Sequence, residues 1–432
     1  MEGSDCSKFY SKCRDILREE LIPAMGCTEP IAIALCAAKA RDVLGMTPQE
    51  VTVAASGSII KNVKSVIVPH TDHMKGIETA AAVGIVGGKA EKLLNVLADV
   101  TQKEQELIKV FLATVPIKTE YTKDGRVFDI IVTVKGSDKN GNEHYAQVRI
   151  VDYHTNIVHI EKDGEVLLDN PLDSSDSSPI TDRSILSVEK IWDFAMNSEV
   201  DKMKLILDPQ IKYNMAISEE GLTNDYGANI GKTWLAAYGD DIKIRAIAAA
   251  AAGSDARMNG CEMPVIINSG SGNQGMTASV PVITYARELG VSDEKMYRAL
   301  ALSNLIAIHQ KTGIGTLSAY CGAMSAGIGA GCGIAYLLGG DLDAIKHTII
   351  NAVVTVSGII CDGAKASCAA KIATAVNAGI TGYYMYLNNN NFNAGDGLVG
   401  KDVEATIKNV GELASDGMKD TNDTIIKIMI GD

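Results

Sequence analysis

Aromatic side chains are scarce in this sequence, making up 5% of its 432 residues, with only five Phe and two Trp. A core built on stacked rings is therefore excluded. Small and branched side chains must fill it instead, and with 41 Gly and 46% apolar residues the pattern favours close backbone packing. Basic clusters are also missing. A formal charge of −13 argues against a nucleic-acid surface, because phosphate binding needs grouped Lys and Arg. The first residues, Met1 to Lys8, hold no apolar run of the secretory kind, so a cytoplasmic location is expected. Nine irregularly spaced cysteines include no Cys-x-x-Cys knuckle, which counts against a Cys-only zinc site and against a disulfide scaffold. No lysine stands in a setting that marks a pyridoxal phosphate Schiff base, and no repeat of 20–50 residues is visible.

One long uncharged run is present, from Thr312 to Gly340. Its length exceeds the roughly 20 residues that span a bilayer. Yet Gly327, Gly329, Gly331 and Gly333 alternate through it, and no aromatic girdle frames it. A tightly packed internal segment, with no membrane partner, is the reading adopted.

The chain is long enough for two or more lobes. Strand-like runs at 51–55, 66–68, 117–122, 127–134, 145–151 and 157–160 alternate with helical patterns at 8–20, 31–40, 75–84 and 90–113. Asn140-Gly141 centres a hairpin turn, and tight turns between strands predict a mainly antiparallel sheet. After a Ser/Asp-rich stretch from Asp169 to Asp182, nearly everything reads as helix. The expected fold class is therefore α+β, with an α+β lobe at 1–180 and a mostly helical lobe at 181–432.

Four cysteines stand out. Cys321, Cys361 and Cys368 lie 40 and 7 residues apart among small side chains, and Cys27 sits far upstream in Met25-Gly26-Cys27-Thr28-Glu29-Pro30. Three thiolates plus a remote fourth suit an iron–sulfur cluster with one open iron. Buried core cysteines are the plain alternative, and Cys332 competes for a ligand place. Seven residues on one helix would put Cys361 and Cys368 about 10.5 Å apart. A turn around Gly363, with a helix starting near Ala364, would bring them closer and leave Lys365 beside them. Thr28 reads as an N-cap for the next helix, and a thiol at a helix start has its pKa lowered.

The second constellation is Asn268-Ser269-Gly270-Ser271-Gly272-Asn273-Gln274-Gly275. A Gly/Ser loop opening a helix makes an anion-binding nest, and without a Gly-Lys-Ser/Thr ending it suits a carboxylate better than a diphosphate. A tight turn with no ligand fits equally well. Ser56 and Asn62, in Ser56-Gly57-Ser58-Ile59-Ile60-Lys61-Asn62, and the loop from Pro69 to Gly76 read as polar loops at strand ends, able to position a substrate. His70 and His73 lack a nearby third ligand, so a solvated loop is expected there.

Together with Leu317-Ser318-Ala319-Tyr320-Cys321-Gly322-Ala323, Cys361-Asp362-Gly363-Ala364-Lys365 and the tail around Gly397, Gly400 and Gly417, these strings resemble the L-cysteine desulfidase (cysteine desulfhydrase) family. That family is related to the α portion of iron–sulfur L-serine dehydratases. The resemblance implies an oxygen-sensitive [4Fe–4S] cluster on Cys321, Cys361 and Cys368, with Cys27 as catalytic base or displaceable fourth ligand. It also implies β-elimination of L-cysteine to sulfide, pyruvate and ammonia. The expected substrate-binding residues are Ser56, Asn62, Asn268, Ser269, Gly270, Asn273 and Gln274. The separate β portion with its Ser-Ser-His-Thr string is lacking, which weighs against serine. Serine or threonine dehydration and a non-catalytic iron–sulfur sensor remain the competing functions. The partner expected is a small amino acid, and Gly/Ala-rich surfaces make a homodimer plausible.

Overall fold

The computed structural model describes residues 3–122, 126–170, 181–315 and 318–430. The linker expected between Asp169 and Asp182 falls mainly at 171–180, outside the described residues, as does Leu317.

In chain order the elements are α1 (Gly3–Glu20), β1 (Pro23–Met25), α2 (Thr28–Leu44), β2 (Glu50–Ala55), α3 (Gly57–Val63), α4 (Ile77–Gly87) and α5 (Gln102–Thr114). Then come β3 (Ile117–Tyr121), β4 (Asp129–Ser137), β5 (Glu143–Val151), β6 (Ile157–Lys162) and β7 (Glu165–Asp169). The helical part contains α6 (Val188–Asn197), α7 (Val200–Thr223), α8 (Ile230–Tyr238) and α9 (Ile242–Met258), then β8 (Pro264–Ile266). It continues with α10 (Gly272–Glu288), α11 (Asp293–Ile314), α12 (Ala323–Leu337), α13 (Leu342–Val356), α14 (Ser367–Leu387), α15 (Val403–Glu412) and α16 (Lys419–Ile430). The expected α+β class holds.

Six strands form one sheet in the order β3-β2-β4-β5-β6-β7. It is antiparallel except for β2 with β3, where α3, α4 and α5 make the long crossover that a parallel pair requires. Asn140-Gly141 turns β4 into β5, with Gly141 at φ +85°. Alternation places Val51, Val53 and Ala55 of β2, with Ile130, Val132 and Val134 of β4, on the buried side. There they meet α2, whose residues from Ile31 to Ala38 are all buried.

Three expectations from the first half need correction. Ser56 does not begin a loop but is the N-cap of α3, and Val66 to Val68 keeps only an isolated bridge from Ile67 to Lys75. The pattern at 90–113 is also broken. A capping box, Thr101 with Glu104, restarts the helix at Gln102 and satisfies backbone donors left free by the break.

The uncharged run contains α12, and its glycines explain the packing. Gly327 and Gly331, four apart, press on the α14 backbone: an added Cβ would come 2.5 Å from Ala375 C and 2.5 Å from Gly379 C. Gly329 and Gly333 press on α11, where a Cβ would come 2.4 Å from Ser303 O and 2.9 Å from Ala299 O. Two glycine stripes on opposite faces thus let α12 sit wedged between two helices. A methyl group at any of them would cost roughly 1–3 kcal/mol in forced displacement. Among the described residues no helix is long and apolar enough to cross a membrane.

A second apolar cluster joins α1 to the helical part through Cys13, Ile16, Leu17 and Leu21. Here β1 pairs antiparallel with β8, Pro23 opposite Ile266 and Met25 opposite Pro264. That pairing brings the Gly26-Cys27 motif against the loop at 268–275.

Candidate active site

Cys27 is the residue before α2, and Thr28 is the first helical residue rather than the cap. Gly26, at φ +61°, turns the chain where a Cβ would lie 2.4 Å from Pro69 Cγ. The Cys27 thiol donates to Glu29 Oε2 at 2.9 Å, and Asn62 Nδ2 donates to Glu29 Oε1 at 2.9 Å. Thr28 Oγ1 donates to Gly270 O at 3.2 Å, tying this motif to the second constellation. The surroundings reverse the effect expected of a helix start. Burial, and then the Glu29 carboxylate, push the Cys27 thiol well above its ordinary range, with Arg257 pulling the other way. Glu29 stays low in spite of burial because His154, the Cys27 thiol and Asn62 favour its anion.

The late cysteines converge. Tyr320 and Ile360 form an antiparallel bridge, with Cys321 N donating to Ile359 O at 3.1 Å and Cys361 N to Ala319 O at 2.6 Å. This sets the Cys321 and Cys361 thiols next to each other. The Cys321 S–H holds Cys361 down, helped by Lys61, while Cys361 pushes Cys321 up. Gly363, at φ +96°, makes the expected turn, but α14 starts at Ser367, later than Ala364, with Cys368 in its first turn. Cys368 packs on a small cluster of Cys27, Val66 and Met258, so the upstream thiol and the downstream trio share one site. Cys332 lies apart inside α12, where burial alone raises its thiol.

Lys365 pairs with Asp362 at 3.3 Å. Three other lysines act on the trio or are acted on by it. Lys61, 1% exposed, donates to Asn422 Oδ1 at 2.7 Å on α16, and burial lowers its pKa against the pull of Cys361 and Glu29. Lys311 is lowered to about 8 by burial, opposed by Cys361 and Cys321. Lys371 donates to Ile360 O at 2.9 Å; burial works against its charge, but Asp362, Cys321 and Cys368 leave its pKa raised. Among the described residues no three His, Cys, Asp or Glu side chains already stand in metal-binding geometry. The donor set itself is three soft sulfurs with one buried and two half-buried lysines near them, which suits an anionic iron–sulfur group in its chemistry.

The second constellation divides. Ser269 (φ +49°) and Gly270 (φ +75°) make a left-handed turn closed by an Asn268–Ser271 bridge. Asn268 is fully buried, its amide donating to Asn304 Oδ1 at 2.9 Å, and Ser269 Oγ donates back to Asn268 Oδ1 at 2.8 Å. Ser56 Oγ donates to Val127 O at 2.8 Å. Asn273 and Gln274 are nearer the chemistry. Asn273 Oδ1 accepts from Arg257 Nη1 at 3.2 Å, and the Gln274 amide lies so close to Gly322 that a Cβ there would be 2.6 Å away, next to Cys321.

Arg257 and His154 escaped the sequence reading. Arg257 lies in the last turn of α9, and a cation within the buried run from Ala246 to Met258 is the signal that could have found it. It is 4% exposed, and its Nη2 donates to Gly26 O at 2.6 Å. His154 follows β5 and packs edge-on against Phe128, 4.8 Å between centroids.

Fold and site together define an α+β protein with a buried multi-thiol centre, assembled from an N-terminal motif and a helical C-terminal part. The chain belongs to the serine dehydratase alpha chain family, whose match spans residues 91–427. It is 56% identical to a UPF0597 protein of Desulfitobacterium hafniense (strain Y51), covering 100% of this chain and 98% of that one. Identity to UPF0597 proteins of Treponema denticola and Fusobacterium nucleatum subsp. nucleatum is 46% in each case, over 98% and 97% of this chain and 98% of each relative.

Proposed function

We propose that this protein is an iron–sulfur lyase that removes sulfide from L-cysteine by β-elimination, leaving pyruvate and ammonia. The observation that carries the reading is the meeting of Cys321, Cys361 and Cys368 beside Cys27, with the buried Lys61 and the half-buried Lys311 and Lys371 around them. Cys321, Cys361 and Cys368 would hold a [4Fe–4S] cluster, whose open iron supplies Lewis acidity toward the leaving sulfur. Lys61, Lys311 and Lys371 offset the negative charge of three thiolates in a region with little water to screen it. In this reading Cys27, as its thiolate, takes the Cα proton, and in the resting fold its thiol donates to the Glu29 carboxylate at 2.9 Å. Burial of Cys27, Glu29, Asn62 and Arg257 keeps solvent away from the reacting carbon.

Dehydration of L-serine is the second reading, favoured by the family's name. The same residues would serve a hydroxyl leaving group. Anoxic purification with iron and sulfide analysis, followed by paired assays of sulfide from L-cysteine and pyruvate from L-serine, separates them. Cys27→Ala is expected to keep most bound iron and lose turnover, whereas Cys361→Ala loses both. Full activity in either variant, or an iron-free preparation that still degrades L-cysteine, refutes the proposal.

A further inference from the structure

Three buried side-chain atoms around Cys27 have no hydrogen-bond partner: Asn62 Oδ1, His154 Nε2 and Arg257 Nε. Buried polar atoms in folded proteins are almost always paired, so their gathering around one thiol points to a ligand that completes them. Two opposite chemistries are present. The Glu29 carboxylate and the unpartnered Asn62 Oδ1 offer acceptors, with one Asn62 amide N–H donated to Glu29 Oε1 at 2.9 Å. Arg257 presents a guanidinium fixed by Gly26 O and Asn273 Oδ1, with Nε still free. Gly272 makes room for it, since a Cβ there would lie 2.4 Å from Nε. Both Asn62 and Arg257 are more than nine-tenths buried.

We infer that these residues form a zwitterion clamp for an α-amino acid: Arg257 binds the carboxylate, while Glu29 with Asn62 Oδ1 binds the ammonium. A buried carboxylate bonded to the Cys27 thiol and a buried guanidinium bonded to the neighbouring Gly26 carbonyl match the two opposite charges carried on a substrate Cα. Arg257 suits this role because its planar fork fits a carboxylate with two parallel donors. The loop at 268–271 then acts as support, with Asn268 committed to Asn304, and the carboxylate is recognised by a side chain rather than by loop amides. The inference rests on the amino-acid lyase reading and adds the specificity residues to it.

The test is equilibrium binding of L-alanine, propionate and ethylamine, measured calorimetrically on the anoxic protein, beside steady-state kinetics with L-cysteine. L-Alanine has both charges but no leaving group, and each other probe has one charge. The wild type is expected to bind L-alanine roughly 10- to 100-fold more tightly than either single-charge probe, the range for charge-assisted hydrogen bonds. Arg257→Ala should bind L-alanine no better than ethylamine, and Glu29→Gln no better than propionate. Arg257→Lys should recover part of the preference, and its KM should rise more than its kcat falls. Equal binding of L-alanine and ethylamine by the wild type overturns the clamp even if the variants do not fold. So does an Arg257→Ala protein that binds L-alanine within threefold of the wild type. L-Alanine binding without turnover of L-cysteine or L-serine would leave the clamp standing and remove the lyase reading, whereas turnover with KM unchanged in Arg257→Ala does the reverse.

Discussion

Replacing Gly363 by alanine probes the join between the cysteine trio and α3. The residue sits at φ +96°, two positions after Cys361, and an added Cβ would lie 2.1 Å from Lys61 O and 2.9 Å from Lys61 C. Two costs follow. Holding a non-glycine residue at positive φ takes ~1–3 kcal/mol. Pushing a methyl group into backbone rather than into a flexible side chain adds ~1–3 kcal/mol. The expected loss of stability is therefore about 2–6 kcal/mol, concentrated where Lys61 faces Cys361 and Cys321. Gly358 is the internal control, because it has φ +106° with nothing within 4 Å of its Cβ position. Gly358→Ala is expected to cost only the backbone part. Urea denaturation of both anoxic variants, compared with the wild type through midpoint and slope, gives the two numbers. Iron analysis adds a second readout, since displacement of Lys61 and Cys361 should lower bound iron in Gly363→Ala alone. A Gly363→Ala protein no less stable than Gly358→Ala, with full iron, would refute the contact argument.

Two further outcomes test the fold away from the site. Asp255 is buried in α9, with Oδ1 unpartnered and Oδ2 accepting from Gly231 N at 3.0 Å, and burial raises its pKa from 3.8 to about 6. The folded state thus holds this proton more tightly than the unfolded chain, so that stabilisation is full below pH 3.8 and is lost as pH rises through 6. Asp255→Asn, which stays neutral, is expected to be more stable than the wild type above pH 6 by up to ~3 kcal/mol, with the gap closing near pH 4. Thermal unfolding at the two pH values measures it, and a gap that widens at low pH would overturn the assignment. Thr101→Ala removes the capping box that starts α5 and should cost about 1 kcal/mol with little effect on turnover. Unchanged stability in denaturant would show that the cap contributes nothing.

Much of the architecture was legible in short-range pattern. Alternation at 51–55 and 129–151, the Asn140-Gly141 turn and the Ala run of α9 each carry their conformation locally, because strand pleat, turn geometry and helix propensity depend on near neighbours. The glycines of α12 were visible as well, but their purpose was not. Only packing showed that Gly327 and Gly331 serve α14 while Gly329 and Gly333 serve α11. The loop read around Ser56 failed for a similar reason, since α3 is held by Glu29 on one side and by Asn422 of α16 on the other.

For the site, spacing singled out Cys27, Cys321, Cys361 and Cys368 but left buried core cysteines as an alternative, and the family resemblance supplied the cluster and catalytic roles. Tertiary structure decided what surrounds them. Lys61, His154, Arg257, Lys311 and Lys371 come from five separate places in the chain, and nothing in their local sequence marks them as neighbours. It also reversed the expected state of Cys27. A helix start would favour the thiolate, but burial and a carboxylate 2.9 Å away are stronger, because charge interactions gain strength as water is excluded. Which thiols are present is a property of the sequence, and whether each carries a proton is a property of the folded environment.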